Sequence, residues 1–494
     1  MTNVNEPAEL LSASDIKQWD DTADVVVIGY GIAGACAALE ARRAGADVLV
    51  IERASGGGGA SALSAGIFYF GGGTDVQRAA GYEDSADNMY DYLMASTGAP
   101  DAKLVRRYCD HSAEQFDWLE AQGVPFNRGH YKGKSVIAPT DDCLASTGNE
   151  KLWPFKQVAK PVPRGHKVAK EGDGGGALAM DALTTACERE GVRVEVDSRV
   201  NAFIRDDAGR IVGVRAKQSD GQKYFRAKNG VVLAAGAFGL NREMVSHYSP
   251  QFPDSCEPLG IPNNDGDAIR LGQAVGGKLR SMDGIIATAS FYPPEQLIKA
   301  ILVNNKGERF VAEDSYHGRS AQAIMEQPET VAYLVMDSAI FAYPEVAHAN
   351  HRLIDGWETV AEMEAGLNMP QGSLQRTMAE YNEGAARGED ALFHKDKEWL
   401  QPLDKGPYAA FELSYSNSCY YYITLGGLTI SADTEVLDSN GNAIPGLFAA
   451  GACASTISQD GRGYASGLML GPASYFGRVA GENAARESAA VSPG

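Results

Sequence analysis

Tyr464 and Ser466 stand two residues apart on the turn Gly461-Arg462-Gly463-Tyr464-Ala465-Ser466-Gly467, directly ahead of the apolar run Leu468-Met469-Leu470. A tyrosine hydroxyl can give one hydrogen bond to a neutral carbonyl while its ring offers apolar surface. A serine is a weak base and takes a proton only when a partner carries it onward. The glycines let the backbone approach a ligand closely, and the start of the following helix offers unpaired N–H groups. Most glycine-rich turns before helices are only turns, so the chemistry of this one depends on what the other end of the chain binds.

That other end opens with Asp24-Val25-Val26-Val27-Ile28, a continuous apolar run of the kind buried on both faces of a parallel sheet. It leads into Gly29-Tyr30-Gly31-Ile32-Ala33-Gly34, an alanine-rich helix Ala35–Ala44 closed by Gly45, and a second strand, Asp47–Ile51, ending at Glu52. In such a unit the first glycine makes the tight turn, the second admits a pyrophosphate and the third brings helix and strand together. Glu52, about 20 residues on, is placed to accept hydrogen bonds from a ribose. Strand, glycines, helix, strand and acid fall in register, which predicts a dinucleotide site. The run Gly56–Gly66 that follows is read as backbone folded along a long cofactor, with Gly59, Ala60, Ser61, Ser64, Ala65 and Gly66 against it.

The chain has 494 residues, too many for one ordinary core, so two domains or one large domain with an insertion are expected. A net charge of −20 with no concentrated basic stretch argues against nucleic-acid binding. The polar, acidic start Met1–Asp24 lacks the features of a signal peptide, and no apolar run reaches the roughly 20 residues needed to span a bilayer. The seven cysteines include no C-x-x-C pair, so no metal site is expected and buried thiols in a reducing cytoplasm are the default.

Residues 84–122 have helical spacing, whereas 127–175 have no period and read as a long loop covering the cofactor. A helix over Ala177–Glu190 precedes strands at Val192–Val196, Ala202–Ile204 and Ile211–Arg215, and Val231–Gly236 is another buried strand. Composition changes near Met282, and residues 284–406 read as an inserted cap. The nucleotide fold resumes at Tyr420–Leu428 and returns to the cofactor through Ile444–Gly451.

Over nearly its whole length the chain resembles the fumarate reductase-like FAD flavoproteins. The resemblance rests on Gly29–Gly34, Glu52, Gly307-Glu308-Arg309-Phe310-Val311-Ala312-Glu313, Thr424–Leu428, Pro445–Gly451 and Gly477–Gly481. It implies an α/β fold: a Rossmann-like FAD-binding domain of the glutathione reductase type with an inserted α+β cap, divided as 1–283, 284–406 and 407–494. It implies FAD contacts at Gly29, Gly31, Ile32, Ala33, Gly34, Glu52 and Arg53, and near Val200, Ala235, Gly236, Asn241 and Asp267. Further contacts are implied at Gly451, Ala452, Ser466, Gly467, Leu468 and Met469. Relatives that hold flavin covalently place a histidine near the Gly/Ser-rich segment. No histidine precedes His111 here, so the FAD is expected to be non-covalent.

The departures narrow the chemistry. Where fumarate reductases carry a carboxylate-gripping arginine this chain has Tyr464; their proton-donating arginine falls at His317, beside Tyr316; and their histidine before the Thr-x-Gly-Gly turn corresponds to Tyr422. A dicarboxylate needs fixed cations, so fumarate reduction is not expected. The pattern is similar to the 3-ketosteroid 4-(5α)-dehydrogenases, in which a tyrosine after the Arg-Phe-Val-x-Glu run and a Tyr-Ala-Ser turn are the active-site residues. They map onto Tyr316, Tyr464 and Ser466, with Tyr422 and Gly467 beside the substrate. The implied reaction takes a 3-keto-5α-steroid, with Tyr464 donating to the ketone, Ser466 passing the carbon-4 proton to Tyr316, and FAD accepting the carbon-5 hydrogen. His317 could assist. An unidentified electron acceptor is implied as a partner. The alternatives are 3-ketosteroid 1-dehydrogenation, another FAD-dependent enone reduction, or a non-catalytic flavin electron-transfer subunit.

Overall fold

The computed structural model describes residues 8–98, 100–288 and 291–487, so the outermost residues of the chain lie outside the described residues. Its centre is a nine-stranded sheet organised by Asp21–Ile28. That strand pairs in parallel with Val48–Ile51 on one side and with the long strand Gly221–Leu233 on the other. Val25, Val26 and Val27 are fully buried, and the helices Ile32–Arg43 and Leu470–Arg486 both pack against this strand. The helix Ile32–Arg43 lies against the closing helix Leu470–Arg486, and the contact is made by small residues. A Cβ on Gly477 or Gly481 would drive into the backbone at Ala33 or Ala37, so the Gly477–Gly481 repeat sets the close approach of the two helices.

Gly221–Leu233 changes partners along its length within the one sheet. Its first half pairs antiparallel with Ile211–Gln218, and its second half pairs in parallel with Ala443–Ala449; the parallel pairing with Asp21–Ile28 starts at Phe225 and continues across a register shift between Ala227 and Gly230. The turn of Asp206–Arg210 joins Arg199–Arg205 to Ile211–Gln218 as the Asp-Asp-Ala-Gly signal predicts. The helix expected at Ala177–Glu190 occupies Gly175–Arg189. Residues 84–122 form three helices, Ala86–Ser96, Ala102–Asp110 and Ser112–Ala121.

The stretch 127–175 is more ordered than its lack of period predicts. Leu144–Ala145 and Ile67–Tyr69 both pair with Gly165–Lys167 in a small antiparallel sheet. Strands of two or three residues are too short to carry a readable alternation.

A separate antiparallel sheet contains Ile301–Val303, Tyr333–Asp337, Tyr408–Glu412 and Leu353–Trp357. Tyr408–Glu412 lies past residue 406 yet pairs inside this sheet. Between it and the nucleotide fold runs the segment that delivers Tyr316, and a buried ionic cluster fixes it. Arg309 pairs with Glu313 at 2.8 Å and Asp390 at 3.0 Å, and Lys395 reaches Glu313 at 3.3 Å. Burial pushes the Glu313 carboxyl up, but Arg309 and Lys395 outweigh it and leave Glu313 below the usual carboxylate range. The stability this adds is present above that range and is lost as pH falls through the lowered native value. No helix among the described residues is long and apolar enough to cross a membrane.

Candidate active site

One cavity of about 590 Å³ runs from the Gly29–Gly34 turn to Tyr316, Tyr464 and Ser466. At its first end the helix Ile32–Arg43 starts at Gly31 with no side chain capping it. Ser61 Oγ accepts the Ile32 N–H at 3.1 Å, and the remaining positive character of the helix end faces the cavity. Gly29 has φ +97°, and a Cβ there would lie 2.6 Å from the Ala234 carbonyl oxygen. Glu52 receives the Tyr30 N–H at 2.7 Å on one oxygen and the Ala54 N–H at 2.8 Å on the other. Both oxygens keep lone pairs for a ligand, and the residue lines the cavity. Arg53 ion-pairs with Asp265 at 2.6 Å, and Arg199 with Asp267 at 2.7 Å, so this wall is charge-paired and rigid.

The middle of the cavity is lined by Gly59, Ala60, Ser61, Ser64 and Ala65 on one side and by Val200, Ala235, Gly236, Gly451 and Ala452 on another. Gly451 takes φ +76°, and its hypothetical Cβ would stand 2.9 Å from the Ala33 Cβ, so chain ends from three strands converge on the helix start. A helix N-terminus whose own cap residue is a glycine, a fixed carboxylate and a long channel walled by small residues fit an adenine dinucleotide extended towards Tyr464.

At the far end Tyr316 Oη and Ser466 Oγ are hydrogen-bonded at 2.9 Å. The rings of Tyr316 and Tyr464 lie 6.2 Å apart. Tyr464 is 7% exposed, yet among the described residues no protein group hydrogen-bonds its hydroxyl, and the residue lines the cavity. Burial raises the pKa of the Tyr464 phenol, which keeps it a proton donor at neutral pH. Burial, reinforced by Tyr464, likewise holds Tyr316 well above the ordinary phenol range, with Ser466 opposing. Gly467, with φ +102°, lines the same end, and among the described residues its N–H has no acceptor.

His317 also lines the cavity. Burial, with a smaller push from Lys134, lowers its pKa to about 3, so the ring is neutral, and neither ring nitrogen has a partner among the described residues. No hydrogen bond joins it to Tyr316, although the rings lie 4.0 Å apart. The remaining wall at this end includes Ile286, Thr288, Ile423 and Thr424. None of these side chains is charged; Ile423 and Thr424 lie in the segment Tyr420–Leu428 singled out above, whereas Ile286 and Thr288 carry no sequence signal.

Five residues assigned from the sequence to ligands do not line the cavity. Gly34 packs its α-carbon against the Gly29 carbonyl, and Gly66, at φ +71°, packs on Gly175. Asn241 caps the helix Arg242–Tyr248 and gives its amide to the Asp265 carbonyl at 2.9 Å. Leu468 is buried in the core. Tyr422 is fully buried, its hydroxyl donating to the Gly239 carbonyl at 2.8 Å and its ring meeting Phe252 edge-on. Tyr422 does not line this cavity, whereas its neighbours Ile423 and Thr424 do.

A family model for the FAD binding domain matches residues 24–467. The 3-oxo-5-alpha-steroid 4-dehydrogenase of Comamonas testosteroni is 30% identical, covering 91% of this chain and 97% of that protein. A probable fumarate reductase of Shewanella frigidimarina is 27% identical over 98% of this chain and 81% of its own. Among solved structures, 3-ketosteroid-delta4-(5alpha)-dehydrogenase from Rhodococcus jostii RHA1, in complex with 4-androstene-3,17-dione, superposes with a TM-score of 0.92. It is 41% identical, with 97% of this chain and 100% of that one covered.

Proposed function

Because this chain belongs to the FAD-binding-domain flavoprotein family and is an FAD-dependent oxidoreductase, we propose that it desaturates 3-keto-5α-steroids between carbons 4 and 5. The observation that carries this reading is the Tyr464 hydroxyl, buried, protonated and without a protein partner, beside the bonded pair Tyr316 and Ser466. The similarity to steroid 4-dehydrogenases over almost the full length supports it.

Bound FAD supplies the acceptor for the hydride that leaves carbon 5. The protein's own task is to make carbon 4 acidic and to receive its proton. Tyr464 donates to the 3-keto oxygen, so that the negative charge developing there meets a donor already in place. Gly467 N–H is the second donor available at this end. Ser466 Oγ takes the carbon-4 proton as its own hydrogen passes to Tyr316 Oη, 2.9 Å away. Tyr316 is too weak an acid to rest as a phenolate, so it acts as a carrier between Ser466 and bulk solvent rather than as a standing base. The uncharged walls suit a neutral, largely apolar ketone. They offer no cation to a dicarboxylate such as fumarate.

The test is anaerobic mixing of the holoenzyme with a saturated 5α-3-ketosteroid and with its 3-hydroxy counterpart. The ketone should bleach the flavin absorbance and the alcohol should not. Absence of bleaching by any 3-ketosteroid would instead favour a flavin electron carrier. The FAD is held without a covalent bond: no histidine or cysteine occurs among the cavity-lining residues from Gly59 to Ile67. Acid precipitation should leave a colourless pellet and a yellow supernatant, and a yellow pellet would refute this.

A further inference from the structure

Behind the reacting pair, and outside the cavity lining, runs the buried tetrapeptide Thr147-Gly148-Asn149-Glu150, which no sequence motif marks. It touches both members of the pair through their backbones. Thr147 O accepts the Ser466 N–H at 2.9 Å, and Thr147 Oγ1 donates back to the Ser466 carbonyl at 2.9 Å, so Ser466 is gripped on both sides. Two residues on, Asn149 Oδ1 accepts the Tyr316 N–H at 2.9 Å. Gly148 allows the approach: a Cβ there would sit 2.8 Å from the Ala465 Cβ.

The tetrapeptide is itself anchored. Asn149 N–H donates to the Tyr92 hydroxyl at 2.8 Å, and Glu150 accepts the Gly148 N–H at 3.1 Å and the Tyr69 hydroxyl at 2.9 Å. Tyr69 closes the loop, because its own N–H donates to the Gly467 carbonyl at 3.1 Å. Tyr316 and Ser466 come from segments 150 residues apart in the chain, yet both are fixed to a span of three residues.

We propose that Thr147 and Asn149 are positioning residues that set the Tyr316–Ser466 separation, and with it the rate of proton removal. The proposal rests on the roles given above to Ser466 and Tyr316. A hydroxyl-to-hydroxyl transfer needs its donor and acceptor at hydrogen-bond distance, and a displacement of about 1 Å costs up to about 100-fold in rate. Neither residue lines the cavity, so binding should survive their loss while turnover falls.

The experiment compares Thr147→Val and Thr147→Ser with wild type, and repeats Thr147→Val in a Ser466→Ala background, with kcat, KM and flavin content read for each holoenzyme. Valine keeps the branched shape and loses the hydroxyl; serine keeps the hydroxyl. Thr147→Val should lower kcat about tenfold with KM changed by less than about twofold, and Thr147→Ser should lie within about twofold of wild type. Once Ser466 has lost its hydroxyl, Thr147→Val should cost less than about twofold more, as expected of residues acting through one step.

A wild-type kcat in Thr147→Val, an equal loss in Thr147→Ser, or the same tenfold fall in the Ser466→Ala background would overturn the positioning role while leaving Ser466 in the reaction. Full turnover in Ser466→Ala alone would remove both. Should Thr147→Val fail to hold FAD, Asn149→Ala supplies the same comparison from the Tyr316 side, with the same fall in kcat at constant KM expected and an unchanged kcat overturning the proposal.

Discussion

Tyr464→Phe is expected to keep the FAD content of the wild-type protein and to lose about 100-fold or more in turnover, the usual cost of removing one oxyanion donor. The substitution deletes one oxygen and leaves the ring, which packs 6.2 Å from Tyr316 at the end of the cavity. No protein group among the described residues depends on that oxygen, so the fold has nothing to lose with it. The loss should fall chiefly on kcat, because the hydrogen bond gains most of its strength as charge moves onto the ketone oxygen. Steroid affinity should change little, since it comes from the apolar walls. Turnover close to wild type in this variant would remove Tyr464 from the chemistry.

Ser466→Ala should cut kcat by about 10² to 10⁴, the range for loss of a general base, and Tyr316→Phe should fall in the same range. The two hydroxyls form one relay at 2.9 Å, so the double variant should be no worse than the poorer single variant by more than a few-fold. Independent, multiplying losses would mean that the two residues serve different steps. Ser466 is half-buried and its backbone is held by Thr147, so alanine should be accepted without disturbing the turn. Flavin binding and thermal stability in both variants should therefore match wild type.

The nucleotide half was legible because its constraints are local. Gly29, Gly31 and Glu52 each do their work within one strand–turn–helix–strand unit, and the continuous apolar run Val25–Ile28 can only be a strand covered on both faces. Tyr316, Tyr464 and Ser466 were reachable only because their motifs resemble those of a known family; no spacing in the chain predicts that residues 150 positions apart will share a hydrogen bond. What escaped was set by tertiary packing. Tyr422 is kept out of the cavity lining by its hydrogen bond to the Gly239 carbonyl and its packing on Phe252, whereas its strand neighbours Ile423 and Thr424 both line the cavity, and no residue pattern distinguishes the three. Asn241 looks like a polar ligand until its helix-capping role is seen. Thr147 and Asn149 sit in a stretch without period, and the backbone contacts they make have no sequence signature.

The central claim, that the new double bond lies between carbons 4 and 5, is tested most directly by identifying the product formed from a saturated 5α-3-ketosteroid in a single anaerobic turnover. The proposed carbon-4 role of Ser466 predicts a 4-ene-3-ketone as the sole product. A 1-ene-3-ketone would contradict it and would assign the relay to the opposite side of the ketone.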